Sequence, residues 1–456
     1  MSNNYPVPEI LQKITALDMK KVKLAVVDID GILRGKVISL EKFQAAISKG
    51  LGFCDVVFGW DASDQVYENI PFTGLHSGYP DALAMIDLQT FRQVPWENGL
   101  PFFLADFRDA KGEDLPVCPR SLLKKIRARA LDTGFLPFFA QEFEWFNFQR
   151  DGSEGNRTAV KDLQALSEGM FGYSILRASQ HSPYFHDLFD LLGKFGVPLE
   201  GIHTETGPGV YEAAISYGEV LEAADRAVLF KSGVKEIAYR HGVFPSFMAK
   251  FNEKLPGCSG HIHQSLWSGD GKSNLFYDKK TVNHISGLME NYIAGQLYCL
   301  PHILPMYAPT VNSYKRLVEG AWAPTTLTWG TDNRTTALRA LPTGESSARL
   351  ETRVVGSDSN PYLAMAACLA SGLYGIKNNL KLINPETTGN GYSDKSGGVL
   401  PRSLWEATRA MKASGIAEEL FGKSFVDHFA ATREWEWNQF CKSVTDWELN
   451  RYFEII

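Results

Sequence analysis

Apolar and polar positions alternate most sharply from Leu136 to Phe148, "LPFFAQEFEWFNF", a period of two that predicts a strand. Side chains two residues apart share a face, so Glu142 and Glu144 point one way while Phe143 and Trp145 point the other. Two neighbouring carboxylates repel unless one is protonated or a cation lies between them, so the stretch is either an edge strand with one wet face or part of a divalent-cation site. Upstream, "VKLAVVDIDGILRGKVISL" reads as a strand, a turn at Asp30-Gly31 and a second strand, and "ALAMIDLQTF" and "LPFFLADF" supply two more. A weak helical pattern covers 9–22. The polar, proline-punctuated run 108–121 marks a boundary that divides the chain into 1–114 and 115–456.

Past that boundary, "PRSLLKKIRARALDTGF" has a helix start at Pro119 and a stop at Gly134, and helical spacing returns at 183–197, 219–241 and 281–300. Residues 151–182 read as loop or short helices. In "GIHTETGPGVYEAAI" a turn centred on Pro208-Gly209 makes Glu205 and Glu212 cross-strand neighbours, a second carboxylate pair about 5 Å apart. "PGCSGHIHQSLW" puts His261 and His263 on one strand face, and "SARLETRVV" does the same for Arg349, Glu351 and Arg353. Asn360 and Pro361 are placed as cap and first residue of the next helix. The C-terminal stretch is helical and Trp-rich, with no visible site chemistry.

Composition narrows the classes. The chain of 456 residues is 44% hydrophobic and 21% charged, which fits a soluble globular protein of two domains. Its 46 basic and 52 acidic residues give a net charge of -6, so neither nucleic acid nor an anionic membrane is an expected partner. No apolar run approaches a membrane span and "MSNNYPVPEI" lacks the regions of a signal peptide, so the expected location is the cytoplasm. The six cysteines have no paired spacing, which excludes a disulfide framework or zinc site as the organising feature. Asp55, Asp61 and Asp64 in "FCDVVFGWDASD" read first as loop solvation. The glutamates and a histidine suit Mg2+ or Mn2+, and with the arginines Arg316, Arg334 and Arg339 nearby in sequence they point to phosphoryl transfer.

Over nearly its full length the chain resembles the glutamine synthetase superfamily, with "QEFEWF", "TETGPGVYE", "GCSGHIHQSLW", "NSYKRLV", "DNRTTALR" and "RLETRVVGSDSNPYLA" in the family order. The resemblance implies an α+β fold: an N-terminal β-grasp domain, then a catalytic domain with a curved antiparallel sheet flanked by helices. It implies two or three Mg2+ or Mn2+ ions per site, ATP and glutamate as substrates, and a homo-oligomeric ring, commonly a dodecamer, with sites at subunit boundaries. Carried over by motif, Glu144, Glu205 and Glu212 hold the metal on the amino-acid side, and Glu142, His261 and Glu351 the metal on the nucleotide phosphates. Arg316, Arg353 and Gly257 face glutamate, while Arg334, Arg339, Arg349, His263 and Ser265 attend the nucleotide and its phosphates.

Two departures change the expected reaction. Where ammonia-using members have Pro-Gly-Tyr-Glu, whose glutamate takes a proton from ammonium, this chain has "VEGAWAP", with Trp322 in place of the carboxylate. The family's Asp-Gly-Ser-Ser run is at best Asp55-Val56-Val57-Phe58. An indole accepts no proton, although its face binds an alkylammonium. The branch implied joins glutamate to polyamines or other organic amines, with Asp55 as the replacement base ahead of Asp61 and Glu319. Ordinary glutamine synthesis and a non-catalytic structural relative are the alternatives.

Overall fold

The computed structural model describes residues 7–68, 70–150 and 163–456. The segment 151–162, part of the stretch read as loop or short helices, lies outside the described residues.

The N-terminal part holds helix α1 (Val7–Ala16), strands β1 (Lys21–Val27) and β2 (Leu33–Ser39), helix α2 (Leu40–Lys49), and strands β3 (Leu51–Cys54), β4 (Asp81–Val94) and β5 (Leu100–Arg108). They form a five-stranded sheet in the order β2-β1-β5-β4-β3, in which β1 and β5 run parallel and the other neighbours antiparallel. A small core of Val22, Phe43, Phe103 and Phe107 lies on one face. Ala25, Val27 and Leu104, on the other, join the main core of the chain.

Helix α3 (Pro119–Asp132) leads into β6 (Phe135–Gln149), the strand on which the larger sheet turns. Then come α4 (Ile175–Gln180), α5 (Ser182–Lys194), β7 (Leu199–Thr204), β8 (Val210–Ile215), β9 (Gly218–Glu219), α6 (Val220–Arg240), β10 (Val243–Ser246) and β11 (Ile262–Ser268). The chain continues with α7 (Gly287–Ile303), α8 (Ser313–Arg316), β12 (Trp329–Thr331), β13 (Leu338–Leu341), β14 (Arg349–Thr352) and α9 (Pro361–Lys377). A nine-stranded sheet runs β12-β13-β14-β11-β6-β8-β7, with β9 and β10 also on β6. Within this sheet, among the described residues, only β12 and β13 pair in parallel. Because β6 is paired with β11 through Gln141 and with β8 from Glu142 onward, it changes partner where its two carboxylates sit. Behind it, Phe143 and Trp145 are fully buried, and Phe143 stacks on Phe230 of α6 at 5.5 Å.

The two parts are fastened at the start of α9. Asn360 caps that helix by accepting from the Tyr362 N–H at 3.0 Å, as its sequence position predicts, and its amide donates to the carbonyls of Asp28 and Ile29. Gly31, at φ 83°, passes so close that a Cβ there would lie 2.9 Å from the Asn360 Cα, so only glycine fits this turn.

Candidate active site

The carboxylate face of β6 is held open by backbone bonding. Glu142 and Glu144 donate their N–H groups to the carbonyls of His261 and Ser259, at 2.9 and 3.0 Å, so both side chains project to the same side. On β8, Glu212 stands directly opposite Glu144, and His203 on β7 stands opposite Glu212. The hairpin therefore differs from the sequence expectation. Thr204 pairs with Tyr211 and the Glu205 N–H donates to the Val210 carbonyl, which centres the turn one residue earlier and makes Glu205 a diagonal neighbour of Glu212. The predicted pair still converges on one face, with His203 added: ligating atoms of His203, Glu205 and Glu212 lie within 4.8 Å of one another.

A second group forms across β6, β11 and β14. His263 is registered opposite Glu351, Glu351 is registered opposite Arg339, and Glu142, His263 and Glu351 bring their polar atoms within 4.8 Å. The His261 Nδ1 lies 3.3 Å from Glu351 and 3.8 Å from Glu142. The two histidines share one feature: the Nε2 of each is buried without a hydrogen-bond partner among the described residues. The His263 Nδ1 accepts from the Arg349 Nε at 3.2 Å, and its Nε2 lies 3.1 Å from Glu142. Both rings therefore offer a nitrogen to a cation, and His263 is the one grouped with Glu142 and Glu351.

Electrostatics separate the acids. Burial, followed by the charges of Glu144, Glu142, Glu205 and Glu351, pushes the Glu212 carboxyl up to about 9. Burial acts the same way on Glu351, but His263, His261 and Arg353 outweigh it and hold that carboxyl down at about 2. Glu351 also accepts from the Arg339 Nη1 at 2.8 Å and from Arg353. A half-buried acid pushed toward its neutral form by the acids around it, two buried imidazole nitrogens without a partner and a donor set of carboxylates and imidazole together fit hard divalent ions.

The remaining predicted residues fall into three places. Arg316 and Arg353 are buried side by side, Arg316 donating to the Arg353 and Val354 carbonyls, and a Cβ on Gly257 would come 2.7 Å from the Arg316 side chain. His263, Ser265 and Arg349 line one cavity of about 290 Å³ with Glu142, Phe138 and Tyr217. Arg334 is exposed, and its carbonyl accepts from the Arg353 Nε. Asp55 is buried in the N-terminal part, where it accepts from the Thr73 hydroxyl at 2.7 Å, and burial raises its carboxyl. Among the described residues no contact joins it to the metal-type cluster of its own chain. Asp61 and Asp64 are spent on their loop and on Arg34. Trp322 is 65% exposed, in the left-handed region at φ 57°.

Sequence reasoning missed His203 and Tyr173. His203 on β7 is two residues before Glu205, which follows the strand's last residue, Thr204, so the period of two already pointed to it. Tyr173 stacks on His203 with ring centroids 4.4 Å apart, and burial with the charges of Glu205 and Glu212 raises its phenol. Its only signal was an aromatic residue among the glycines of "EGMFGYS".

A curled sheet that carries two carboxylate–imidazole groups beside buried arginines defines an enzyme class that handles phosphate and carboxylate with divalent cations. The chain belongs to the glutamine synthetase family, whose catalytic-domain model (Glutamine synthetase, catalytic domain) matches residues 116–452. Enzymes of this family use ATP and divalent cations. The chain is 52% identical to Type-1 glutamine synthetase 2 of Dictyostelium discoideum, over 98% of this chain and 86% of that protein. It is 36% identical to the glutamate–isopropylamine ligase of Pseudomonas sp, over 100% and 99% of the two chains. It is 33% identical to gamma-glutamylethanolamide synthetase GlnA4 of Streptomyces coelicolor, over 98% and 96%. A solved GmaS/ADP complex superposes with a TM-score of 0.83 at 26% identity, covering 99% of this chain and 100% of that one.

Proposed function

We propose that the protein is an ATP-dependent ligase that joins the γ-carboxylate of glutamate to an organic amine, a monoamine or polyamine, by way of γ-glutamyl phosphate. The observation that carries the choice of amine is Trp322, an exposed indole where the family's ammonia-using members place a flap carboxylate. An indole offers an amine with an alkyl chain an apolar cover, whereas it gives ammonium no carboxylate to take its proton. The relatives named for isopropylamine and ethanolamide ligation support the same reading.

Arg316 and Arg353, with Gly257 leaving room beside them, are assigned to glutamate. His263, Ser265 and Arg349 are assigned to the nucleotide, and Arg334 and Arg339 to the charge that develops on the transferred phosphoryl group. Glu144 would hold one Mg2+ or Mn2+ with Glu205 and Glu212, which group with His203, and His261 another with Glu142 and Glu351, which group with His263, the His261 Nδ1 lying 3.3 Å from Glu351; two or three ions per site remain the reading. Bound there, such ions neutralise phosphate oxygens and polarise the acyl group. A neutral amine is the nucleophile, so a proton must leave an alkylammonium of pKa near ~10, and Asp55 is assigned that role.

Because Asp55 bonds to Thr73 and, among the described residues, no hydrogen bond or ion pair links it to its own chain's cluster, we infer that it serves the site of an adjoining subunit, in a homo-oligomeric ring that we read as a dodecamer. We further read residues 1–114 as a β-grasp domain, supported by the five-stranded mixed sheet with α2 packed on it, and 115–456 as the catalytic domain. The six cysteines are free, which fits a cytoplasmic location.

Glutamine synthesis from ammonia is the second reading, favoured by the name of the 52%-identical relative. The test is phosphate release from ATP that requires glutamate and an amine together, with the product identified by mass. An alkyl amide supports the proposal, and glutamine as the main product with every amine offered overturns it.

A further inference from the structure

A cavity of about 1010 Å³, larger than the one beside His263, lies past the C-terminal end of β6 and includes none of the site's carboxylates. It opens where the N-terminal turn Asp30–Leu33 meets α6 and β10, a junction of the kind that small-molecule sites favour. Its walls are mostly apolar and aromatic, with Phe148, Phe244, Phe247 and Trp435 among them.

The charges on those walls are unevenly satisfied. Asp30 accepts from the Arg433 Nη2 at 2.7 Å, Asp358 accepts through Oδ2 from the hydroxyls of Thr310 and Ser313 while its Oδ1 is buried without a partner among the described residues, and Arg150 lies over the Tyr239 ring. Glu436 accepts from the Val311 N–H, and burial moves its carboxyl up to about 7, toward the neutral form. Asp61 is bound by its own loop. On the opposite wall, Lys231 and Lys235 stand one turn apart on α6, and neither forms an ion pair among the described residues. The Lys231 Nζ reaches only the Ser359 carbonyl at 3.1 Å and the faces of Phe143 and Phe247, and Lys235 shares the Phe247 ring. Burial, and then the Lys235 charge, bring the Lys231 ammonium down to about 7 against the opposing charges of Asp358, Asp30 and Asp28, none of which pairs with it directly.

From this geometry we propose that the cavity is a second ligand site, separate from the active site, that takes an amphipathic carboxylate: the acid between Lys231 and Lys235, the apolar body against Phe244, Phe247 and Phe148. The pairing gives the lysines the anion they lack and covers aromatic surface at the same time. The loop on which Lys231 is anchored also carries Ser357, whose hydroxyl donates to the Glu144 carbonyl at 2.7 Å, so the site lies one loop away from the catalytic face.

The experiment is titration of the full-length protein with 4-phenylbutyrate by calorimetry, with 4-phenylbutyramide as the uncharged control. Saturable binding at one site per chain is expected, weakened at least about tenfold by Lys231→Met and by the more peripheral Lys235→Gln, each checked for an unchanged melting curve. The amide should bind at least about tenfold more weakly, and saturating ATP with glutamate should leave the carboxylate's affinity unchanged. Displacement by ATP and glutamate, equal binding of acid and amide, or affinity indifferent to both lysine changes in folded protein would overturn the proposal. None of these readouts depends on which amine the enzyme uses, so failure here and failure of the ligase reading are separate results.

Discussion

Glu144 and Glu212 face each other as a registered pair on antiparallel strands, and the second of them is driven toward its protonated form by burial and by the acids around it. Without a cation, this pair opposes folding. Glu212→Gln is therefore expected to raise the melting temperature of the metal-free protein, while saturating Mg2+ raises it more in the parent than in the variant. Equal Mg2+ stabilisation in both would remove Glu212 from the metal site.

Activity is expected to depend on the same acids. Glu144→Ala and Glu351→Ala should each lose roughly a thousandfold in kcat or more, an effect on the scale of removing the electrostatic stabilisation of a transition state. Exhaustive chelation should match them. Residual turnover within tenfold of the parent after chelation contradicts the assignment.

Arg339 bonds Glu351 in the structure and is assigned to the phosphoryl group when ATP is bound. Arg339→Ala is expected to lower kcat by about 10²–10³ with a smaller change in KM for glutamate, because its contact strengthens as charge develops. A change confined to KM would make it a binding residue only.

The fold was legible wherever one face of an element is buried and the other is not. The alternation of β6 placed Glu142 and Glu144 on one face, and the Asn360-Pro361 start of α9 was readable from cap chemistry alone. The 207–209 turn was legible as a turn but not in register, because "GPG" allows two centres and pairing is set by neighbours along the whole strand. Tyr173 was hidden because its role comes from lying over His203, a contact between segments that local pattern does not encode. Family position points to Asp55 as a base, and the structure leaves it within the N-terminal part, bonded to Thr73, because position in a motif does not encode which groups the fold brings near it.

Acid stability has a separate origin in the C-terminal helices. His428 is fully buried, and burial with the nearby Arg433 charge lowers its imidazole to about 3, against 6.5 in the unfolded chain. The unfolded state therefore binds the extra proton between those values, and stability present above pH 6.5 is lost as pH falls, by up to about 1.4 kcal/mol per pH unit. His428→Leu should flatten the fall of melting temperature between pH 7 and 5. An unchanged slope would place the acid sensitivity elsewhere.

Trp322 can be exchanged without disturbing the core, since it is exposed. Trp322→Glu is expected to raise kcat/KM for ammonia and lower it for alkylamines, moving the ratio by about tenfold or more, the scale of one lost apolar contact and one gained carboxylate. If the ratio stays fixed, the indole has no part in choosing the amine.

The central claim, that the acceptor is an organic amine, is tested most directly by competition. Ammonia, isopropylamine, ethanolamine and putrescine are offered together with glutamate, ATP and Mg2+ at equal concentrations of the neutral amine, and the amides are counted by mass spectrometry. The account predicts an alkyl amide in at least about tenfold excess over glutamine. Glutamine as the dominant product would contradict it and make the protein an ammonia-using glutamine synthetase with an indole in its flap.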